Sequence, residues 1–167
     1  MAPSSAADRE RERIEELGRF EFLCQERRGE LERLCQITRQ LLDGKSSSVT
    51  LIGEHEMTFV SSEGNGHKTM PRGRTFCNLT LEHGAFLEIE DLAGDARTCV
   101  MGEELGLRHY AAVPLAPTPG VILGTLNVVG REPRKLTEDQ RRNLEGLAGV
   151  VEDQMKLYRA GQELREQ

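Results

Sequence analysis

The sequence predicts an α+β domain built around a central antiparallel sheet. Three observations lead there. Leu31, Leu34, Cys35, Thr38, Leu41 and Leu42 recur at three- and four-residue steps, which puts one apolar stripe on a helix. Two stretches, residues 49–61 and 108–130, each read as a pair of short strands joined by a turn. Thr137-Glu138-Asp139-Gln140 forms a capping box at the head of a second long helical pattern. Helix, hairpin, short helices, hairpin and helix in that order give an antiparallel sheet.

Taken in order, residues 1–45 form a helical, dimerising arm that opens with almost pure charge (residues 9–16), a solvated start. Asp43-Gly44 ends it, Gly44 being suited to a left-handed cap. Residues 46–135 form the sheet and its pocket. Ser46-Ser47-Ser48 leads into a strand over 49–52, residues 53–56 turn, and 57–61 return. Residues 62–73, rich in Gly, Ser, Asn and Pro, are expected as a loop. A helical turn over 76–81, a strand over 85–89 and short helical pieces within 90–107 come next. Strands over 108–117 and 121–130 follow, joined by Thr118-Pro119-Gly120. Residues 136–167 are the closing helix, and all three segments belong to one domain. Leu144, Ala148, Val151, Met155 and Tyr158 step 4, 3, 4, 3, a heptad seam that asks for a partner helix. A Met155→Glu change in that seam is expected to dissociate a dimer.

Composition excludes several classes. The chain has 167 residues with 22 basic against 28 acidic side chains, a net charge of −6, which argues against nucleic-acid binding. No apolar run approaches a membrane span, and the N-terminus lacks the apolar core of a secretory signal, so a cytoplasmic location is expected. Cys24, Cys35, Cys77 and Cys99 show neither CxxC pairing nor zinc spacing, and no His pair stands at i, i+4; free thiols and no metal are expected.

Five ordered segments carry a family resemblance. Pro71-Arg72 with Arg74-Thr75-Phe76-Cys77 resembles the "PR…SFC" segment of bacterial GAF domains, and residues 90–97 resemble their "DA…D.R" segment. Residues 107–115 are similar to "IRFYAG.PL", 123–128 to "LGTL.V" and 131–137 to "D..PR.LT". The resemblance spans roughly residues 46–151. It implies terminal helices on one sheet face, commonly dimerising, and a ligand pocket under loops and short helices on the other.

Alternation along the last two strands divides the faces independently. His109, Ala111, Val113 and Leu115, with Ile122, Gly124, Leu126 and Val128, suit the helix layer. Arg108 and Tyr110, with Val121, Leu123, Thr125, Asn127 and Val129, suit the pocket. The candidate ligand-binding residues are therefore Phe76, Cys77, Asp91, Arg108, Tyr110, Thr125 and Asn127. Several have a plainer reading: Arg108 in a surface ion pair, Cys77 as a small buried apolar group, Asp91 and Asp95 as caps of short turns. His109 is expected in the core or the helix seam, and His55 in solvent.

The resemblance implies a small-molecule-sensing, non-catalytic regulatory domain acting in bacterial signal transduction. Its expected partners are a second copy of the chain and an unidentified small molecule. With no kinase, cyclase or DNA-binding segment after Gln167, either action in trans, on a partner such as a histidine kinase, or an excised input domain is expected, the Met1 start favouring the former. Two alternatives stand beside it. Cys77 and Cys99 are the candidate redox pair for a thiol enzyme like the free methionine sulfoxide reductases of the family, although that branch's segments are absent. A dimerisation-only module is the other. The Cys-His pair by which bilin-binding members attach pigment is missing, since Asn78 follows Cys77 and Val100 follows Cys99. Neither bilin nor haem is expected, an axial His109 being the one route to haem, and the cofactor is left open.

Overall fold

The structure, a computed structural model, describes residues 5–63 and 69–167. The opening forms helix α1 (Ala6–Leu17), started by a capping box in which the Ser5 hydroxyl and the Asp8 carboxylate satisfy each other's amides. A 3-10 turn (Gly18–Phe20) separates it from α2 (Leu23–Leu41), which is kinked at Arg27. The N-terminal arm is thus two helices rather than one, because burying Phe20 and Leu23 turns the chain inward at Gly18. Nor is α1 wholly solvated. Arg13 is buried, its Nη1 donating to the Ile52 carbonyl at 2.6 Å and its Nε and Nη2 to the Glu10 carboxylate at 3.0 Å.

Six strands form one sheet: β1 (Ser46–Ile52), β2 (Glu56–Glu63), β3 (Thr69–Pro71), β4 (Leu87–Ile89), β5 (His109–Leu115) and β6 (Gly124–Gly130). Their order is β3-β2-β1-β6-β5-β4 and every neighbouring pair is antiparallel. The segment expected as a loop over 62–73 instead ends β2, supplies β3 and begins a 3-10 turn (Arg72–Arg74), while residues 64–68 lie outside those described. Helices α3 (Cys77–His83) and α4 (Cys99–Leu105) roof one face, and α2 and α5 (Glu138–Arg165) cover the other. Thr137 caps α5 as expected, accepting from the Gln140 amide at 3.1 Å.

The division of faces follows the alternation. Ala111, Val113, Leu115, Leu126 and Val128 join the cluster under α2 and α5, while Tyr110, Ala112 and Val129 join the cluster under α3 and α4. Leu123 and Val121 depart from it and pack on the helix side, because β6 begins only at Gly124 and alternation has no meaning before it.

The seam of α5 also needs correcting. Leu144, Ala148, Val151, Met155 and Tyr158 are 0 to 2% exposed within the single chain. They pack on the sheet and α2, so the partner that the stripe asks for is intramolecular. Burial of each larger side chain among them is worth about 1.5–3 kcal/mol. Met155→Glu would therefore strike the core.

Two backbone positions set the frame. At the end of α2 it is Asp43, not Gly44, that takes the left-handed conformation (φ 52°). Gly44 is required for another reason, since a Cβ there would meet the Val128 side chain at 2.3 Å. A Cβ on Gly124 would lie 1.7 Å from the Thr50 carbonyl oxygen, so only glycine lets β6 approach β1 at the middle of the sheet.

Candidate functional site

Between the sheet and α3 and α4 lies a cavity of about 230 Å³. Its apolar wall is built from Met57 and Phe59 on β2, Met70 on β3, Phe76 before α3, Met101 on α4 and Tyr110 on β5. Phe76 and Tyr110 stack as a tilted pair with ring centroids 5.4 Å apart. The polar floor comes from Ser46 and Ser48 on β1, Asn127 on β6 and Cys77 at the start of α3.

The floor is a hydrogen-bonded network. Ser48 stands opposite Asn127, and Thr50 opposite Thr125, in the β1–β6 ladder. Ser48 Oγ donates to Asn127 Oδ1 at 3.0 Å, and the Thr50 and Thr125 hydroxyls share a bond of 2.8 Å. Thr125 Oγ1 and Asn127 Nδ2 donate to Cys77 Sγ at 3.2 and 3.5 Å. The Tyr110 and Thr80 hydroxyls pair at 2.7 Å. Burial pushes the Cys77 thiol up from its ordinary pKa, against the donors that surround it, and burial likewise raises the Tyr110 phenol well above its own. Both groups are neutral near pH 7, and among the described residues the only charged ones that line the cavity, Lys45 and Arg74, are themselves solvent-exposed.

Of the residues expected to meet a ligand, Phe76, Cys77, Tyr110 and Asn127 line this cavity, and Thr125 lies beneath it against Cys77. Asp91 and Arg108 do not reach it. Arg108 Nε and Nη2 donate to the Asp91 carboxylate at 2.8 and 2.9 Å, and that contact lowers the Asp91 pKa. Arg108 precedes β5 and its guanidinium is spent on Asp91 outside the cavity lining, so the plainer reading of a surface ion pair holds for it. Asp91 caps a 3-10 turn (Leu92–Gly94) through the Ala93 amide, again the plainer reading. Cys99 borders a separate surface depression with Gly102, Glu103 and Arg108, so the redox pair of Cys77 and Cys99 is not assembled in one site. All four cysteines are free. His109 is buried on the helix side, its Nε2 2.7 Å from Glu88, which also accepts from the Leu136 amide. Burial lowers its pKa while Glu88 opposes the shift. It faces away from the cavity, which removes it as an axial ligand there. Among the described residues no cluster of His, Cys, Asp or Glu suits a metal, and no helix is long and apolar enough to cross a membrane.

The family model of the GAF domain matches residues 26–155, most of the chain. The chain belongs to the GAF domain family. A cyclic di-GMP phosphodiesterase of Pseudomonas aeruginosa is 32% identical over 108 residues, which are 62% of this GAF chain and 18% of that enzyme's length. Among solved structures, free methionine-R-sulfoxide reductase from Neisseria meningitidis aligns with a TM-score of 0.69 at 17% identity, covering 96% of this chain and 98% of that one. The GAF domain of an Acinetobacter phosphoenolpyruvate-protein phosphotransferase aligns at 0.65 with 16% identity, covering 98% and 97%. The chromophore-binding domain of a bacteriophytochrome from R. palustris aligns at 0.68 with 10% identity, covering 92% and 62%. At these identities the solved structures establish the fold alone.

The GAF cavity contains residues that the sequence reading passed over. Met57, Met70 and Met101 face it from three separate elements, and nothing local in the sequence links them. Ser46 and Ser48 did leave a signal. They alternate with Ser47 and Val49 as Thr125 and Asn127 alternate with Leu126 and Val128, so two strands show polar residues on one face.

Proposed function

We propose that this chain is a small-molecule-sensing, non-catalytic regulatory domain that acts through its terminal helices. The observation that carries the reading is the cavity: apolar walls, a fixed polar floor and charge confined to exposed residues describe a binding site. A site for chemistry needs more than it offers. Cys77 is held as a buried thiol rather than a thiolate, and Cys99 belongs to another surface, which speaks against a thiol enzyme. Similarity to under a fifth of a larger phosphodiesterase also suits a regulatory segment.

Occupancy of the cavity has a route outward. Arg72 donates through Nε to Asn78 on α3 at 2.9 Å and through Nη1 to Glu10 on α1 and the Gly53 carbonyl. Cys77 and Asn78 are neighbours, so a ligand that shifts α3 pulls on the guanidinium that holds α1. The output surface is a second stripe on α5. Val150, Leu157 and Leu164 recur every seven residues and are 42, 55 and 71% exposed, with Ile37 and Leu41 exposed on α2. A second copy of the chain is the occupant that a seven-residue repeat fits, through helix packing between protomers, and a signalling partner would read the change in that packing.

Native mass spectrometry beside the denatured mass tests the proposal. A dimer carrying a non-covalent mass excess, or taking up an added small molecule, is the expected result. A protein that stays empty with every compound offered would leave only dimerisation and sink the sensing role.

A further inference from the structure

We infer that the cavity takes a small monocyclic aromatic acid, with the ring inside and the carboxylate at the mouth; this rests on the sensing role proposed for the same site. Size is the first argument. An apolar cavity of about 150 Å³ holds a benzene molecule. A volume of about 230 Å³ therefore admits one ring and a few substituent atoms. A cyclic nucleotide, with its purine, sugar and phosphate, exceeds it, as does a tetrapyrrole.

The lining chooses the ring. Three methionine sulfurs and three aromatic rings meet around one space, and thioether–aromatic and aromatic–aromatic contacts both favour a flat π-system over a branched aliphatic one. Met57 and Met70 stand opposite each other in the β2–β3 ladder and Met101 comes from α4, so the thioethers close on the ring from the sheet and from the roof.

Charge sets the orientation. No Asp or Glu lines the cavity among the described residues, so an amine would enter without a counter-ion. Among the described residues Lys45 and Arg74 are the charged lining ones, and both are exposed. An anion placed between them stays partly hydrated, which avoids the cost of burying it. Arg74 is now held by Glu104 at 3.0 Å, an exposed pair that a ligand carboxylate would compete with. At the inner end, Ser48, Cys77 and Asn127 offer neutral hydrogen-bonding groups, so a ring hydroxyl opposite the carboxylate completes the fit.

Thermal melting and calorimetry with benzoate, para-hydroxybenzoate, phenol, benzylamine and cyclic GMP test this. Para-hydroxybenzoate at a hundredfold excess over its Kd is expected to raise the melting temperature by about 5 °C or more. A Lys45→Glu, Arg74→Glu double variant, changed only at exposed positions, is expected to bind it at least about tenfold more weakly and phenol as before. Equal binding of phenol and the acids, unchanged by the double variant, would overturn the assigned class. Binding of cyclic GMP or benzylamine with no monocyclic acid bound would also overturn it, while leaving the sensing role intact. Silence from all the probes overturns the class; if the purified protein also carries no ligand mass, the sensing role falls with it.

Discussion

Cys77 is held by two donors on its sulfur and by complete burial, which makes it a structural part of the cavity floor. Its raised pKa and enclosure predict a slow thiol. Cys35 is buried in the same degree, whereas Cys24 and Cys99 are half-exposed. Labelling with a thiol reagent in native buffer should therefore show two fast cysteines, Cys24 and Cys99, and two that react at least about a hundredfold more slowly. Fast reaction at Cys77 would reopen the redox reading. Asn127 shows what single-residue reasoning can see. A carboxamide in the middle of a strand of Leu and Val has to find partners, and it finds Ser48, Thr125 and Cys77. Arg108 shows where such reasoning stops. The same alternation puts it on the pocket side, but only the fold shows its guanidinium taken by Asp91.

Helix α5 carries two apolar stripes, one buried and one exposed. A single-period reading finds the stronger one and cannot tell a core seam from an interface, because both repeat at 3.5 to 3.6 residues. The stronger one is the core seam, the exposed one is the proposed interface, and two substitutions express the difference. Met155→Glu buries a charge under the helix and should lower stability by about 3 kcal/mol or more, seen as a collapse of the melting temperature. Leu157→Glu, half-exposed, should leave melting nearly unchanged while sedimentation shifts from dimer to monomer. A dimer that survives Leu157→Glu would remove the second stripe from the interface.

Helix α1 depends on polar clamps in which Glu10 is central. The Arg13 hydrogen bonds first, then Arg72, hold its pKa down to about 2 against the usual 4.5. Because the folded value is depressed, the stabilisation is present in full above pH 4.5 and is lost as pH falls toward 2. Hydrogen exchange should show α1 loosening across that window before the sheet does, and Glu10→Gln should loosen it already at neutral pH. Equal protection of α1 at pH 7 and pH 3 would contradict this role for Glu10.

At the scale of the molecule, most of the architecture was legible because its elements announce themselves locally, by the Thr137 capping box, glycine turns and alternating strands, whereas β3 lay hidden in the expected loop over 62–73. The two faces of β5 and the core of β6 followed from alternation alone. The kink that divides the N-terminal arm was not legible, since the inward turn of Phe20 is set by the sheet beneath it. The cavity was legible in about a quarter of its lining, at Phe76 and Cys77 on the segment that enters α3 and at Tyr110 and Asn127 on the last two strands. The methionines were silent because Met57 and Met70 meet through the β2–β3 pairing, while Met101 joins them only when β1 and β6 pair, about seventy-five residues apart through Thr50 and Thr125.

Among the described residues the β1–β6 pairing is the only strand ladder joining β3-β2-β1 to β6-β5-β4, and each trio is contiguous in sequence. The chain is therefore two consecutive halves joined by one ladder and by the packing of α2 on α5 and α3 on β5 and β6, with the turn at Gly84, in its left-handed conformation, as the tie between them. Cut at that turn and co-expressed, residues 1–84 and 85–167 should find each other and restore a folded domain, as a shared gel-filtration peak with native circular dichroism would show. The cavity floor draws Cys77 from the first piece and Asn127 from the second. A molecule that binds there would act as a rivet between two separate polypeptides, which makes this domain a candidate scaffold for a split reporter of its own ligand.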